Sequence, residues 1–143
     1  MKELYLTEEE KGISGEQLEK MLDDLLVQYP DAKKVLIIPP DYTRCYSYAG
    51  EITQLLYKKL SPSAQIDVMP ALGTHMAMNE DEMQKFFGDV VPRDRIIVHH
   101  WQTDTVCLGY VPAEVCSEIS NGLFPEQIDV EVNHLLVDGG YDL

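Results

Sequence analysis

Apolar positions along this chain follow two alternating periods, and the alternation predicts the architecture. Leu18, Met21, Leu22, Leu25 and Leu26 fall at i, i+3, i+4, i+7 and i+8, the stripe of a one-sided helix. Ser14 with Gln17 marks its start as a capping box, Ile13 and Leu18 stand at the ends of a hydrophobic staple, and Tyr29-Pro30 closes it. Val35-Leu36-Ile37-Ile38 is a short continuous apolar run shut off by Pro39-Pro40, the pattern of a buried parallel strand. A polar loop from Asp41 to Ser47 leads into a second amphipathic helix carrying Ile52, Leu55, Leu56 and Leu60, broken by Ser61-Pro62-Ser63. Ile66-Asp67-Val68-Met69 predicts a second strand, followed by the loop Ala71-Leu72-Gly73-Thr74-His75. A third helix is predicted from Asn79, with Glu82 at the capping-box position, Met78 and Met83 as a second staple, and Gly88 as its stop.

The second half is less regular. Ile96-Ile97-Val98 predicts a third strand, running through His99-His100-Trp101 into Gln102-Thr103-Asp104. Val111 to Ile119 fits neither period, Asn121-Gly122 is a turn, and Ile128-Asp129-Val130-Glu131-Val132 alternates like a strand with one exposed face. Strands alternating with helices of this length predict an α/β fold, a βα-repeat with a mainly parallel sheet flanked by helices. Val137 to Leu143 reads as a helix exit leading into another strand, so the chain is expected to be a truncated piece of something longer.

Composition narrows the function classes. With 143 residues, 45% apolar and 25% charged, the chain has the size and balance of one globular domain. No run approaches the roughly 20 apolar residues of a membrane span, and Met1-Lys2 leading into Thr7-Glu8-Glu9-Glu10 is not a secretory start. A cytoplasmic protein without a membrane partner is expected. Lys and Arg number 11 against 25 Asp and Glu, a formal charge of −14 that repels a phosphate backbone, so no nucleic-acid partner is expected. An anionic small molecule would need a local cation, and the only arginines are Arg44, Arg93 and Arg95. Cys45, Cys107 and Cys116 are odd in number and lack metal-type spacing, which argues against a disulfide framework and a zinc site; no metal ligands are assigned, and Cys45 is read as an incidental thiol.

Ligands of open parallel sheets bind beyond the carboxyl ends of the strands. Asp41-Tyr42-Thr43-Arg44 follows the first strand and Gly73-Thr74-His75 the second; if those strands are neighbours, both loops open onto one crevice, which Thr103-Asp104 could join. Arg44 suits a two-pronged pair with a ligand carboxylate, or else a structural pair with Asp41. His75 suits acid–base work on a hydroxyl, or else a bond to the next helix's N-terminus. His99 and His100, adjacent on a strand, would point to opposite faces, and His134 lies in a helix-like stretch; all three are read as structural. Neither a dinucleotide-binding glycine fingerprint, nor a P-loop, nor a G-x-S-x-G elbow is present.

The two loops carry a resemblance. Asp41-Tyr42-Thr43-Arg44 resembles the Asp-x-Thr-Arg motif of the nickel-dependent lactate racemase family, and Ala71-Leu72-Gly73-Thr74-His75 its Gly-x-His loop. The helix start Asn79-Glu80-Asp81-Glu82-Met83 is similar as well, as are Gly109-Tyr110-Val111-Pro112-Ala113 and Val130-Glu131-Val132-Asn133. The resemblance implies that residues 1–143 are the front part of the N-terminal domain of a two-domain enzyme whose remainder is absent. It implies a racemase or epimerase of lactate or a related 2-hydroxy acid, in which a nickel-pincer nucleotide accepts and returns a hydride while a histidine handles the hydroxyl proton. By position, Arg44 would bind the substrate carboxylate, His75 would be a catalytic acid–base histidine, and Asp41 would help shape the substrate pocket. Cofactor-binding residues, including the covalent lysine, the nickel-binding histidine and a second catalytic histidine, would fall after Leu143, so the chain alone would be inactive and hold no covalent cofactor. Cys45 stands where the family commonly has proline, and Met76-Ala77 where it often has Arg-Pro, which leaves the identity of the hydroxy acid open. The other readings are a non-catalytic small-carboxylate binding module on the same fold, and a structural piece whose sheet edge pairs with missing strands.

Overall fold

The computed structural model describes residues 3–7 and 12–143; the sequence features at Met1-Lys2 and Glu8-Glu9-Glu10 lie outside the described residues. Helix α1 (Gly15–Leu26) begins as its capping box predicts: the Gln17 N–H donates to Ser14 Oγ at 3.2 Å, and the Ser14 N–H donates to Gln17 Oε1 at 2.8 Å. Strand β1 (Lys34–Ile37), helix α2 (Ala49–Leu60) and strand β2 (Gln65–Val68) form one βαβ unit. The strands pair in parallel, with Val35 opposite Ile66 and Ile37 opposite Val68.

That register places Val35, Ile37, Ile66 and Val68 on one face, because side chains alternate along a strand. Val35, Ile66 and Val68 are at most 2% exposed, and they pack with Leu60 of α2 and with Phe86 and Phe87 of helix α3 (Glu80–Phe87). At about 1.5–3 kcal/mol for each fully buried large apolar side chain, this face is the main stabilising layer. Helices α2 and α3 approach closely at Gly50, where a Cβ would lie 2.5 Å from the Phe86 carbonyl oxygen. Asp67 interrupts the apolar run of β2 and faces the other way. Its buried carboxylate accepts from Gln65 Nε2 at 3.2 Å, Arg95 at 3.4 Å and the Tyr141 hydroxyl at 3.0 Å. Burial and that bond push the Tyr141 phenol up to about 12.

The predicted third strand is reduced to a contact. Ile96 bridges Val68 in parallel and the Ile97 N–H donates to the Val68 carbonyl at 2.8 Å, but the chain then turns instead of extending. Asp104 is the cause: its carboxylate accepts the His100 N–H at 2.8 Å while its own N–H donates to the His100 carbonyl, closing 100–104 into a turn. The next strand is β3 (Thr105–Val111), which pairs antiparallel with β4 (Ile128–Asn133) through a bulge between Cys107 and Gly109. The ambiguous stretch splits between the end of β3 and helix α4 (Ala113–Ile119).

The fold is therefore mixed α/β, and the expectation of a mainly parallel sheet is corrected. Among the described residues parallel pairing is confined to β1 with β2 and to the Pro40–Ala71 and Val68–Ile96 bridges, while β3 and β4 form a separate antiparallel ribbon. After the short helix α5 (Leu135–Asp138) the tail runs beside β1 on the edge away from β2. The Asp142 N–H donates to the Lys34 carbonyl at 2.7 Å and the Leu36 N–H donates to the Leu143 carbonyl at 2.9 Å, but residues 139–143 form no strand. Among the described residues no helix is long and apolar enough to cross a membrane.

Because the Gly50 contact is with backbone, Gly50→Ala must shift α2 against α3 and is expected to cost about 1–3 kcal/mol in urea denaturation. Gly15→Ala, which meets open space, should stay within about 0.5 kcal/mol of the parent. Equal stability of the two variants would refute the close approach.

Candidate active site

Parallel pairing continues past β1 and β2 into the loops. Pro40 bridges Ala71, and the Ala71 N–H donates to the Pro39 carbonyl at 2.8 Å, so the segments starting at Asp41 and Leu72 leave the sheet side by side. On the first, Asp41 is the N-cap of a 3-10 segment, Tyr42–Ser47, and Oδ1 accepts the Thr43 N–H at 3.1 Å and the Thr43 hydroxyl at 2.5 Å. On the second, Leu72 is 3% exposed and roots the loop in the core. Its carbonyl accepts the His75 N–H at 2.9 Å across a turn in which Gly73 has φ +57°, a conformation glycine adopts without a Cβ penalty.

These anchors bring Asp41 Oδ2 within 2.6 Å of His75 Nδ1. Burial alone would raise the Asp41 carboxyl; the bonds from the Thr43 side chain, His75 and the Thr43 backbone, with the attraction of His75, outweigh it and hold the group below its usual value. An ionised Asp41 can only accept, so the bond assigns the proton to Nδ1 and leaves Nε2 of a neutral His75 as the free acceptor. The imidazole is rooted at one end and open at the other, with its side chain 58% exposed.

A cleft of about 340 Å³ lies alongside, lined by Asp41, Tyr42, Thr43, His75, Met76, Ala77, Met78, Asn79 and Glu82. Sequence reasoning missed Thr43, although an acceptor at Asp41 with an N–H two residues later is a readable cap signal. It also missed Tyr42, Met78 and Glu82 as walls, because each sits in a pattern that serves the core or the cap of α3, whereas Met76 and Ala77, singled out there as departures from the resemblance, do line the cleft.

Arg44 is on the same loop, and its N–H donates to the Asp41 carbonyl at 3.1 Å. Its side chain is exposed, does not line the cleft, and makes no ion pair among the described residues. The alternative pairing of Arg44 with Asp41 is not formed, since Thr43 and His75 occupy both carboxylate oxygens. Nor does His75 serve helix α3, which is capped by Asn79 and Glu82 bonding each other's N–H at 2.9 and 3.0 Å.

Thr103-Asp104 does not join the cleft; Asp104 is spent on the 100–104 turn, and its carbonyl accepts the His134 N–H at 2.8 Å. His99 meets Asn133 at 2.9 Å and the His134 ring meets the Asp104 carbonyl at 3.1 Å, in keeping with structural roles. Cys45 packs half-buried against the core. Among the described residues no group of three or more His, Cys, Asp or Glu could hold a metal ion.

The profile of the lactate racemase N-terminal domain matches residues 8–138. A solved protein from Thermotoga maritima is 27% identical with a TM-score of 0.74, over 90% of this chain and 32% of that one. The lactate racemase apoprotein from Thermoanaerobacterium thermosaccharolyticum, 24% identical with a TM-score of 0.53 over 79% of this chain and 25% of that one, shares the fold. The chain thus spans about a third of the first neighbour and a quarter of the second. No curated protein matches it.

Stability supplied by the Asp41 carboxylate is present above the unfolded-state value, about 3.9, and is lost as pH falls through the lower folded-state value. Asp41→Asn should remove that part of the acid transition. It should also release the His75 tautomer: nitrogen NMR is expected to show the Nδ1–H form in the parent and a mixed or Nε2–H population in the variant. An unchanged tautomer would show that Asp41 does not set it.

Proposed function

The chain belongs to the lactate racemase N-terminal domain family, and from that premise we propose that it supplies the substrate-binding and proton-handling half of a 2-hydroxy-acid racemase or epimerase. In this reading residues 1–143 are the front part of that enzyme's N-terminal domain. One observation supports it above the others: His75 stands at the cleft with Nδ1 bonded to Asp41 and Nε2 left to accept a proton. His75 is the acid–base residue that takes the substrate hydroxyl proton at Nε2 and returns it. Asp41 is the positioning residue that holds the ring in that tautomer. Arg44, whose side chain makes no ion pair among the described residues, takes the substrate carboxylate in a charge-assisted pair.

The nickel-pincer nucleotide implied by the family resemblance finds no donor set for its metal among the described residues. The roles proposed for this chain therefore stop at binding and proton handling. The covalent lysine, the metal-binding histidine and a second acid–base histidine belong, in this proposal, to the remainder of a longer protein, and this chain alone does not turn over.

Arg44→Gln is expected to weaken binding of a 2-hydroxy acid about 10- to 100-fold, the loss of charge-assisted bonds worth roughly 1.5–3 kcal/mol, measured by calorimetry. His75→Gln should leave carboxylate binding within about threefold, since its proposed work lies in proton transfer rather than in ground-state affinity. Binding that ignores Arg44 would refute its role as the clamp. Binding to the parent with no racemisation by the cofactor-loaded longer enzyme would favour the non-catalytic binding module instead.

A further inference from the structure

The walls of the His75 cleft differ in chemistry from its polar corner. Tyr42 and Met78 are half-buried and pack against the core cluster of Val68, Phe86, Phe87 and Val91, so they are fixed apolar walls. Met76 is 90% exposed, and its side chain touches solvent over nearly all its length although it lines the cleft. A thioether on a flexible, unbranched chain adapts to apolar groups of varied shape. The volume, about 340 Å³, exceeds what a three-carbon acid fills and lies at the lower end of small-molecule sites.

The charges in the cleft point the same way. No Lys or Arg lines it, and its two carboxylates are already engaged, Asp41 by Thr43 and His75, Glu82 by the Asn79 N–H. The first turn of α3 at the cleft carries Glu80, Asp81 and Glu82, which cancel the attraction a helix N-terminus has for anions. One anionic group is left to Arg44, on the same loop as Tyr42 and Thr43; a second, carried into the cleft, would meet carboxylates and methionines.

We propose that Met76, with Met78 and Tyr42, selects a monocarboxylic 2-hydroxy acid whose side chain is apolar and longer than a methyl group, and that a second anionic group on the substrate is rejected. This rests on the reading that Arg44 takes the carboxylate and His75 the hydroxyl. Burying a methylene fully multiplies affinity about fourfold; in an open cleft about twofold per methylene is expected.

The test is a titration of the 143-residue chain with lactate, 2-hydroxybutyrate, 2-hydroxyhexanoate and malate. It is read at the methionine methyl and histidine ring NMR signals, which separates this cleft from the exposed apolar surface elsewhere. The expected result is a dissociation constant that falls about twofold with each added methylene, no saturable shift with malate, and perturbation centred on Met76, Met78 and His75. In Met76→Ser, an exposed position whose substitution spares the fold, the dependence on chain length should flatten. Equal binding of lactate and hexanoate analogue, tight binding of malate, or a Met76→Ser variant with the parent's dependence would each overturn the specificity proposal and leave the Arg44–His75 reading standing. Absence of any response to all four acids would overturn both.

Discussion

Parallel pairing sends the carboxyl ends of two strands to the same edge of a sheet, and here everything functional hangs on it. The register that sets Val35 opposite Ile66 also sets Pro40 opposite Ala71, so Asp41 and the loop to His75 leave from adjacent positions. A slip of β1 by one residue would turn Val35 and Ile37 out of the face they share with Ile66 and Val68. The hydrophobic face therefore enforces the register, and the register enforces the distance between Asp41 and His75. The energy that positions the imidazole comes from the core, with Leu72 buried at the foot of the loop and Tyr42 stacked edge-on to Phe86.

Asp41 joins three tasks in one side chain. It caps the 3-10 segment, fixes the Thr43 hydroxyl and orients His75. A buried carboxylate without partners would cost several kcal/mol; with bonds to both oxygens it is held ionised below its ordinary value. Ionisation is what makes the arrangement directional. A carboxylate cannot donate, so it admits one tautomer of the ring, whereas a neutral amide would admit two.

Much of the fold was legible where one local signal decided the outcome. The capping boxes at Ser14 and Asn79 and the apolar runs of β1 and β2 needed no tertiary information. The third strand failed because Ile96-Ile97-Val98 has the right residues but only one neighbour to pair with, and Asp104 pulls the chain into a turn just beyond. Periodicity reports what a segment prefers and is silent on whether a partner edge is available. The ribbon of β3 and β4 was half-visible for the same reason: the alternation of β4 was plain, but the direction of its partner is set by how the chain returns. At the site, chain order found the two loops and pointed to Arg44 with His75. The contact belongs to Asp41 and His75, a detail that depends on where a cap turns one carboxylate oxygen.

The two halves of the site differ in how far they are organised before any ligand arrives. His75 is fixed by its ring bond and by a turn rooted in the core, so it meets a hydroxyl at little further cost in order. Arg44 is exposed and unpaired among the described residues, and holding its side chain in one geometry costs up to about 2 kcal/mol of rotamer entropy. Carboxylate binding must supply that ordering, against a chain of net charge −14 whose field repels the incoming anion. A site with a rigid base and a mobile clamp gains most from whatever immobilises the clamp. In a longer protein a surface packed beside the Arg44 loop would raise affinity without touching substrate, by removing freedom the arginine otherwise loses on binding.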